Sequence, residues 1–551
     1  MKKWWHEAIG YQIYPKSFQD TNGDGIGDLR GIIQHLDDLV DLGINVLWLS
    51  PINQSPMVDH GYDISDYYQV DPVFGSNEDL QELIQQADSR GIKILLDLVI
   101  NHTSDQHPWF QEALSDPTGP AAQRYIIRHG QDGPPNNWRS IFGGSAWTRI
   151  PETDLYYLHL FTKNQPDLNW ENPTLRQELY GMVRYWLDQG LGGFRIDAIS
   201  HIKKDWQYEN MPPDSDGLVN GFEYFRNVAG IEAFLDELAE NTFRLYDSFT
   251  IAEMDDIQQE RLAEFIGDQG YFSTVFDFFH TKFYIRQERY AKDPLGFVEE
   301  LKEELFQRQA YVADQGFMTN FIENHDKIRS PGKFIPKAYI NEYSKRLLAV
   351  CYFFLRGIPV IYQGQEIGME DYPKESIHDY LDLATHNMYQ EFLDKGMSAE
   401  DALFWVNLEC RENSRTPMQW DATEQAGFTT GDPWFAVNPN YLEINYAQQR
   451  KGNSLLAFYK KVVALRKNEQ YRETWIYGQL IPQFEEVKGC IAYTRESEAQ
   501  RLWVIANCTP QEMRLPLSAP RVVLLNNYEQ LDQGTELRLR PGQAIVLEEE
   551  R

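Results

Sequence analysis

The chain has 551 residues, 42% of them hydrophobic and 14% aromatic, which is enough for two to four domains with sizeable cores. Acidic residues outnumber basic ones 83 to 51, a formal charge of −32, and the mean field of such a surface repels nucleic acid and anionic lipid. No apolar run reaches the roughly 18 residues of a membrane span, the Met1-Lys2-Lys3-Trp4-Trp5 opening lacks an export core, and Cys351, Cys410, Cys490 and Cys508 match no metal spacing.

Strand-like apolar runs alternate with helical ones along most of the chain. Runs at 8–14, 44–52, 92–100, 193–199 and 249–253, then 271–276, 318–322 and 358–362, predict eight parallel strands. Eight such strands close an α/β (β/α)8 TIM barrel. Between the first two, Leu29, Ile32, Ile33, Leu36, Leu39 and Val40 recur at helical spacing and predict one helix. Leu175, Leu179, Met182, Val183, Trp186 and Leu187 predict another before the fourth. Residues 104–171, rich in Pro, Gly, Asn and Trp, are too long for an ordinary loop and predict a subdomain inserted after the third strand. Residues 1–103 and 172–472 then make the barrel, with a second excursion at 371–420. Residues 473–551 carry short alternating strands, such as 501–506 and 522–526, and predict a C-terminal antiparallel β-sandwich.

Polar groups gather where the strands end: Asp97, Asn101 and His102; Arg195 and Asp197; Glu253; Asn324, His325 and Asp326. The C-terminal rim of a parallel barrel is where active sites assemble. With no Ser-His-Asp elbow, P-loop or dinucleotide fingerprint to compete, the chemistry falls to carboxylates. Glycoside hydrolysis needs two of them, one at the anomeric carbon and one to protonate the leaving oxygen. Period-two alternation puts Arg195 and Asp197 on one side of their strand, where the guanidinium would keep Asp197 ionised. Glu253 has no cation adjacent to it in sequence, which makes it the better proton donor.

A second constellation follows the first strand. Asp20, Asn22, Asp24 and Asp28 space oxygen ligands along a loop bent by Gly23, Gly25 and Gly27. The twelfth position holds Gly31, not the bidentate Glu of an EF-hand, so a helix-loop-helix sensor is excluded.

The segments Asp97-Leu98-Val99-Ile100-Asn101-His102, Gly193-Phe194-Arg195-Ile196-Asp197, Ile251-Ala252-Glu253 and Glu323-Asn324-His325-Asp326 resemble, in order and spacing, the four signature regions of α-amylase-family glycoside hydrolases. Gln12-Ile13-Tyr14-Pro15-Lys16-Ser17-Phe18 and Ser414-Arg415-Thr416-Pro417-Met418-Gln419-Trp420 resemble its α-glucosidase and oligo-1,6-glucosidase branch. The resemblance implies Asp197 as nucleophile, Glu253 as acid/base and Asp326 as a transition-state stabiliser. It also implies Asp59, Tyr62, His102, Phe161, Arg195, His325 and Arg415 around a non-reducing glucose, with an Asp59–Arg415 pair closing the far wall. The loop after the first strand resembles the family's calcium site, Asp20, Asn22, Asp24, Asp28 and the Ile26 carbonyl binding Ca2+, or Mg2+, in a structural role.

The implied activity is that of a retaining, exo-acting α-glucosidase on a small oligosaccharide or disaccharide, with no organic cofactor. Linkage turns on Ala198, next to the nucleophile, where α-1,6-preferring relatives carry Val; Ala predicts α-1,4 preference, with oligo-1,6-glucosidase as the alternative. Trehalose-6-phosphate hydrolase and sucrose isomerase share the scaffold, and a phosphate would need basic groups such as Lys203, Lys204 or Lys327. Lys327-Ile328 departs from the Gln-Pro-like pair of relatives, on the acceptor side. A non-catalytic transporter-associated homologue would lack the full acidic set and carry a membrane anchor. The sequence as a whole predicts a cytoplasmic protein with free thiols, without membrane or nucleic-acid partners, as a monomer or weak homo-oligomer.

Overall fold

The computed structural model describes residues 2–549 except 206, 255, 268, 314, 518–520 and 534–535. Its largest sheet holds eight strands: β1 (Gly10–Ile13), β2 (Val46–Leu49), β3 (Lys93–Val99), β4 (Gly193–Asp197), β5 (Phe249–Ala252), β6 (Thr274–Val275), β7 (Thr319–Asn320) and β8 (Ile358–Tyr362). They pair in parallel in the order β6-β5-β4-β3-β2-β1-β8-β7. A parallel bridge from Phe276 to Thr319 joins the two ends and closes the barrel. Strands covered on both faces need no polar alternation, which is why β8 reads Ile-Pro-Val-Ile-Tyr and is buried throughout.

The expected runs overshoot seven of the eight observed strands, and only 358–362 matches. At the start of β6, the Ser273 and Thr250 hydroxyls accept from each other's backbone N–H, so side chains replace ladder bonds there and only Thr274 and Val275 remain as strand. Where β4 and β5 begin, Gly193 sits at φ 146° and a Cβ on it would lie 1.8 Å from the Phe249 carbonyl oxygen. Only glycine permits that approach, and the register that follows carries Arg195 and Asp197 to the rim.

The single helix expected after β1 is two, α1 (Leu29–Gln34) and α2 (Leu36–Leu42), broken at His35. Tertiary contacts hold His35 there: its ring stacks on Trp420 at 3.5 Å and its Nε2 meets Gln19 Oε1 at 3.3 Å. Helix α3 (Pro173–Asp188) buries the expected Leu175, Leu179, Met182, Val183, Trp186 and Leu187. Asn172 caps it by accepting from the Thr174 and Leu175 N–H groups, and Pro173 starts it without losing a bond. Helices α4 (Pro294–Val312) and α5 (Glu342–Phe353) flank the later strands.

Within 104–171, strands Ile127–His129 and Trp147–Arg149 pair antiparallel on either side of Leu155–Leu158. The returning chain is tied to the end of β3 by a His102–Asp167 bridge and by Lys204 Nζ, which lies 2.6 Å from Asp167 and donates to Asn101 Oδ1 at 3.1 Å. The excursion after β8 contains α6 (Leu383–Asp394) and α7 (Ala399–Glu409). Asn387 of α6 donates to the Phe142 carbonyl at 2.7 Å, so excursion and insertion meet above the barrel. At the C-terminal end a five-stranded antiparallel sheet, from Gln479–Gln483 to Ala544–Glu549, packs on a smaller one across Ala492, Trp503, Ile505, Leu515, Leu539 and Leu547. This is the expected sandwich. Among the described residues no helix is long and apolar enough to cross a membrane, and all four cysteines are free.

Candidate active site

Register sets the centre of the site. Arg195 stands opposite Asp97 on β3 and Ile251 on β5. Its Nη1 donates to Asp97 Oδ1 at 2.7 Å and to Asp197 Oδ1 at 2.6 Å, while Nη2 lies 2.9 Å from Glu253 Oε2. The Ala198 N–H donates to the same Glu253 oxygen at 2.9 Å. Ala198 adopts φ 45°, a left-handed conformation unusual outside glycine, and this turn directs its N–H at Glu253.

Two expectations are corrected here. Glu253 has a cation beside it in space although none adjoins it in sequence, and about a third of its side chain remains exposed. Nor does Arg195 simply keep Asp197 ionised. Burial lifts the Asp197 carboxyl well above its usual range, outweighing Arg195, and the neighbouring Glu253 and Asp97 charges add to the lift. Burial also raises Asp97, to about 6, against the pull of Arg195. Three carboxylates crowd one guanidinium, so each opposes the ionisation of the others.

Asp326 faces them from the chain after β7. Burial opposes its ionisation, but His325 at 3.0 Å, Arg415 at 2.7 Å and Arg411 at 3.3 Å together hold it well below the usual carboxylate range. Burial, against the pull of the Asp326 charge, pushes the His325 imidazole well below its usual range. Its Nδ1 pairs with Gln12 Nε2 at 2.7 Å and its Nε2 with the Tyr62 hydroxyl at 2.5 Å. The Tyr62 hydroxyl in turn donates to Asp97 Oδ2 at 2.9 Å, linking the two carboxylate groups of the rim.

The cavity these residues border measures about 460 Å³. Asp59, Tyr62, His102, Phe161 and Ala198 line it with Asp197, Glu253 and Asp326. Arg195, His325 and Arg415 lie beneath, at most 2% exposed, where they position carboxylates. The expected Asp59–Arg415 pair does not form. Asp59 Oδ1 meets Arg411 Nη2 at 2.7 Å, and Arg415 instead bonds Asp326 and the His325 carbonyl. Arg411 also holds Asp382 at 2.5 Å and lies over the Phe142 ring at 5.0 Å, so it closes the far wall. Gln165 braces Asp59 from the other side at 3.0 Å. The sequence reading missed Arg411, Asp382 and Gln165; the only signal was an arginine four positions before Arg415. Of the three candidate phosphate-binding lysines, Lys203 pairs with Glu171, Lys204 is buried on Asp167, and Lys327 alone lines the cavity.

The loop after β1 offers oxygen donors only, the set a hard cation prefers. Asp20 Oδ1 accepts from Asn22 and Gly23, Asn22 Oδ1 from Asp24, and Asp24 Oδ1 from Ile26, at 2.8 to 2.9 Å. Asp28 accepts from Thr21 and caps α1 through Gly31. Asn22 Oδ1, Asp24 Oδ1 and Asp28 Oδ1 each accept one bond and keep a lone pair, whereas both Asp20 oxygens and Asp28 Oδ2 each accept two. Among the described residues no three His, Cys, Asp or Glu side chains stand close enough to hold a metal. A cation here would therefore lean on the Asn22 amide and the Ile26 carbonyl as well as on carboxylates.

A closed parallel barrel whose rim gathers paired acids supplies the groups that glycoside cleavage uses. The family model for the α-amylase catalytic domain matches residues 12–474, and the chain belongs to this family of glycoside hydrolases. It is similar, at 41% identity over 99% of both chains, to an oligo-1,6-glucosidase of Bacillus cereus. Among solved structures it resembles trehalose-6-phosphate hydrolase of Bacillus licheniformis, with 35% identity, full coverage of both chains and a TM-score of 0.91. It also resembles isomaltulose synthase of Protaminobacter rubrum, with 33% identity, full coverage and a TM-score of 0.93.

The raised Asp97 carboxyl makes a pH prediction. Its protonated form is favoured in the folded state, so its contribution to stability is fully present below about pH 4 and is lost as pH rises through about 6. Chemical denaturation of the enzyme and of Asp97→Asn across pH 4 to 7 should show the wild-type stability falling relative to the variant over that window. A constant difference would mean that Asp97 titrates normally.

Proposed function

We propose that this enzyme is a retaining, exo-acting α-glucosidase that releases glucose from the non-reducing end of short α-glucosides, favouring α-1,4 links of the maltose type. The observation that carries the reading is the shared guanidinium: Asp197 and Glu253 both lie within 3 Å of Arg195. That proximity favours the short gap of a retaining pair, about 5 to 5.5 Å, over the wider one of an inverting pair. In the first step an Asp197 oxygen attacks the anomeric carbon while Glu253 gives its proton to the glycosidic oxygen, whose bond to that carbon breaks. In the second, Glu253 takes a proton from water, the water oxygen attacks the same carbon, and the glucosyl ester to Asp197 breaks. Asp326, fixed as an anion by Arg415 and Arg411, grips sugar hydroxyls, and Tyr62 and Phe161 offer apolar faces to the ring. The Asp59–Arg411–Asp382 wall leaves room for one terminal sugar, which supports exo-action.

The linkage preference rests on Ala198. A branched side chain there would crowd an aglycone leaving through its ring-bound O4, whereas a 1,6 link carries an extra methylene that lets the aglycone swing clear. The effect of one or two methyl groups is about 1 to 3 kcal/mol, a preference and not a rule. The similarity to an oligo-1,6-glucosidase over nearly the whole chain favours α-1,6 hydrolysis as the second reading. We further propose Ca2+ in the loop of Asp20, Asn22, Asp24, Ile26 and Asp28 as a structural ion, and a cytoplasmic location, in keeping with four free thiols.

Three outcomes follow. Asp197→Asn should abolish turnover, whereas Glu253→Gln should cripple substrates with poor leaving groups and spare activated aryl α-glucosides, because only the former need protonation; equal losses on both would overturn the roles. Ala198→Val should shift the maltose-to-isomaltose ratio of kcat/KM toward isomaltose by about tenfold, read on protein whose folding is checked, since a β-branched residue at φ 45° adds strain. Wild-type enzyme that already prefers isomaltose would give the α-1,6 reading its place. Chelation should lower Tm, and added calcium should restore it in a concentration-dependent way, without changing kcat of the folded enzyme; an unchanged Tm would remove the ion.

A further inference from the structure

A larger cavity, about 710 Å³, lies outside the sugar pocket and is used by none of the chemistry above. It opens between α4, α5 and the C-terminal sandwich, and its walls are apolar: Leu301 and Leu305 from α4, Leu347 and Leu348 from α5, Ile491 and Met513 from the sandwich. Small-molecule sites are typically apolar concavities of about 300 to 1,000 Å³ with a few placed polar groups. Here the placed groups are at the mouth. Lys488, Glu512 and Arg514 border it, and Glu512 and Arg514 pair with one another at 3.1 Å. Among the residues that line the cavity, Lys488 is the one charge outside that pair, an exposed cation beside an apolar chamber. That polarity suits a ligand with a hydrocarbon body and an anionic head.

The cavity's inner end is built from the same segments as the sugar pocket. Phe279 and His280 line it, while Phe278 and Thr281, on either side of them, line the sugar pocket. Ile322 also lines it, four residues before Asp326. Segments with residues on both chambers join the two physically, a link whose energetic coupling the experiment below measures. The geometry points to a binding site for a carboxylate-headed alkyl chain, seated between α4, α5 and the C-terminal sandwich, whose occupancy is felt at the catalytic rim.

Decanoate titrated into the full-length enzyme by calorimetry is the direct probe, with decanol as the uncharged control. One saturable site per chain is expected, and Leu301→Trp, which fills the chamber, should weaken binding of both at least about tenfold. Lys488→Glu, an exposed substitution outside the core, should weaken decanoate by about tenfold and leave decanol unchanged. Bound decanoate should also slow labelling of Cys351, a wall residue, by N-phenylmaleimide. At saturation kcat/KM should change by about fivefold, the low end of typical couplings between sites. No saturable binding, binding indifferent to both substitutions, undiminished Cys351 labelling, or kinetics unmoved at saturation would each overturn the proposal.

Discussion

The catalytic rim depends on one buried cation. Arg195 is 2% exposed and holds Asp97, Asp197 and Glu253 from three adjacent strands. Removing a partner from such a cluster leaves uncompensated buried charge, at a cost of about 3 to 5 kcal/mol. The barrel tolerates it because the register is fixed elsewhere: Gly193 lets β4 approach β5, and Arg195 then falls opposite Asp97 with no freedom to slip. A one-residue slip would turn Arg195 and Asp197 away from the barrel interior together. The geometry that orients the acids and the packing that closes the barrel are thus one constraint.

The same fold carries several activities in its relatives, so linkage and acceptor choice must come from residues around the fixed centre. Two positions stand out physically. Ala198 couples the backbone to Glu253 through its N–H and lines the cavity with a small side chain. Lys327 lines the sugar cavity where the other two candidate lysines are spent on Glu171 and Asp167. The far wall, by contrast, is a network of Arg411 with Asp59, Asp382 and Asp326.

Most of the barrel was legible because strands buried on both faces leave continuous apolar runs, and because each acid sits at the end of one. Strand ends were less legible where side chains took over backbone bonds, as Ser273 and Thr250 do before β6. The helix broken at His35 kept an unbroken apolar period, and the break comes from contacts with Gln19 and the distant Trp420. In the site, alternation along β4 placed Arg195 and Asp197 on one face, but the contact with Glu253 joins separate strands and has no local pattern. Arg411 lies in a short turn without periodicity, so nothing local distinguished it from Arg415 as the partner of Asp59. The apolar cavity is assembled from segments about two hundred residues apart, and no window of sequence contains it.

The central claim is that Asp197 and Glu253, gathered on one guanidinium, work by double displacement. Proton NMR of the glucose released in the first minutes of hydrolysis of an aryl α-glucoside, before mutarotation, reads the stereochemistry directly. Two displacements at the anomeric carbon predict the α-anomer as the initial product. Initial release of β-glucose would mean a single displacement by water and would contradict the account.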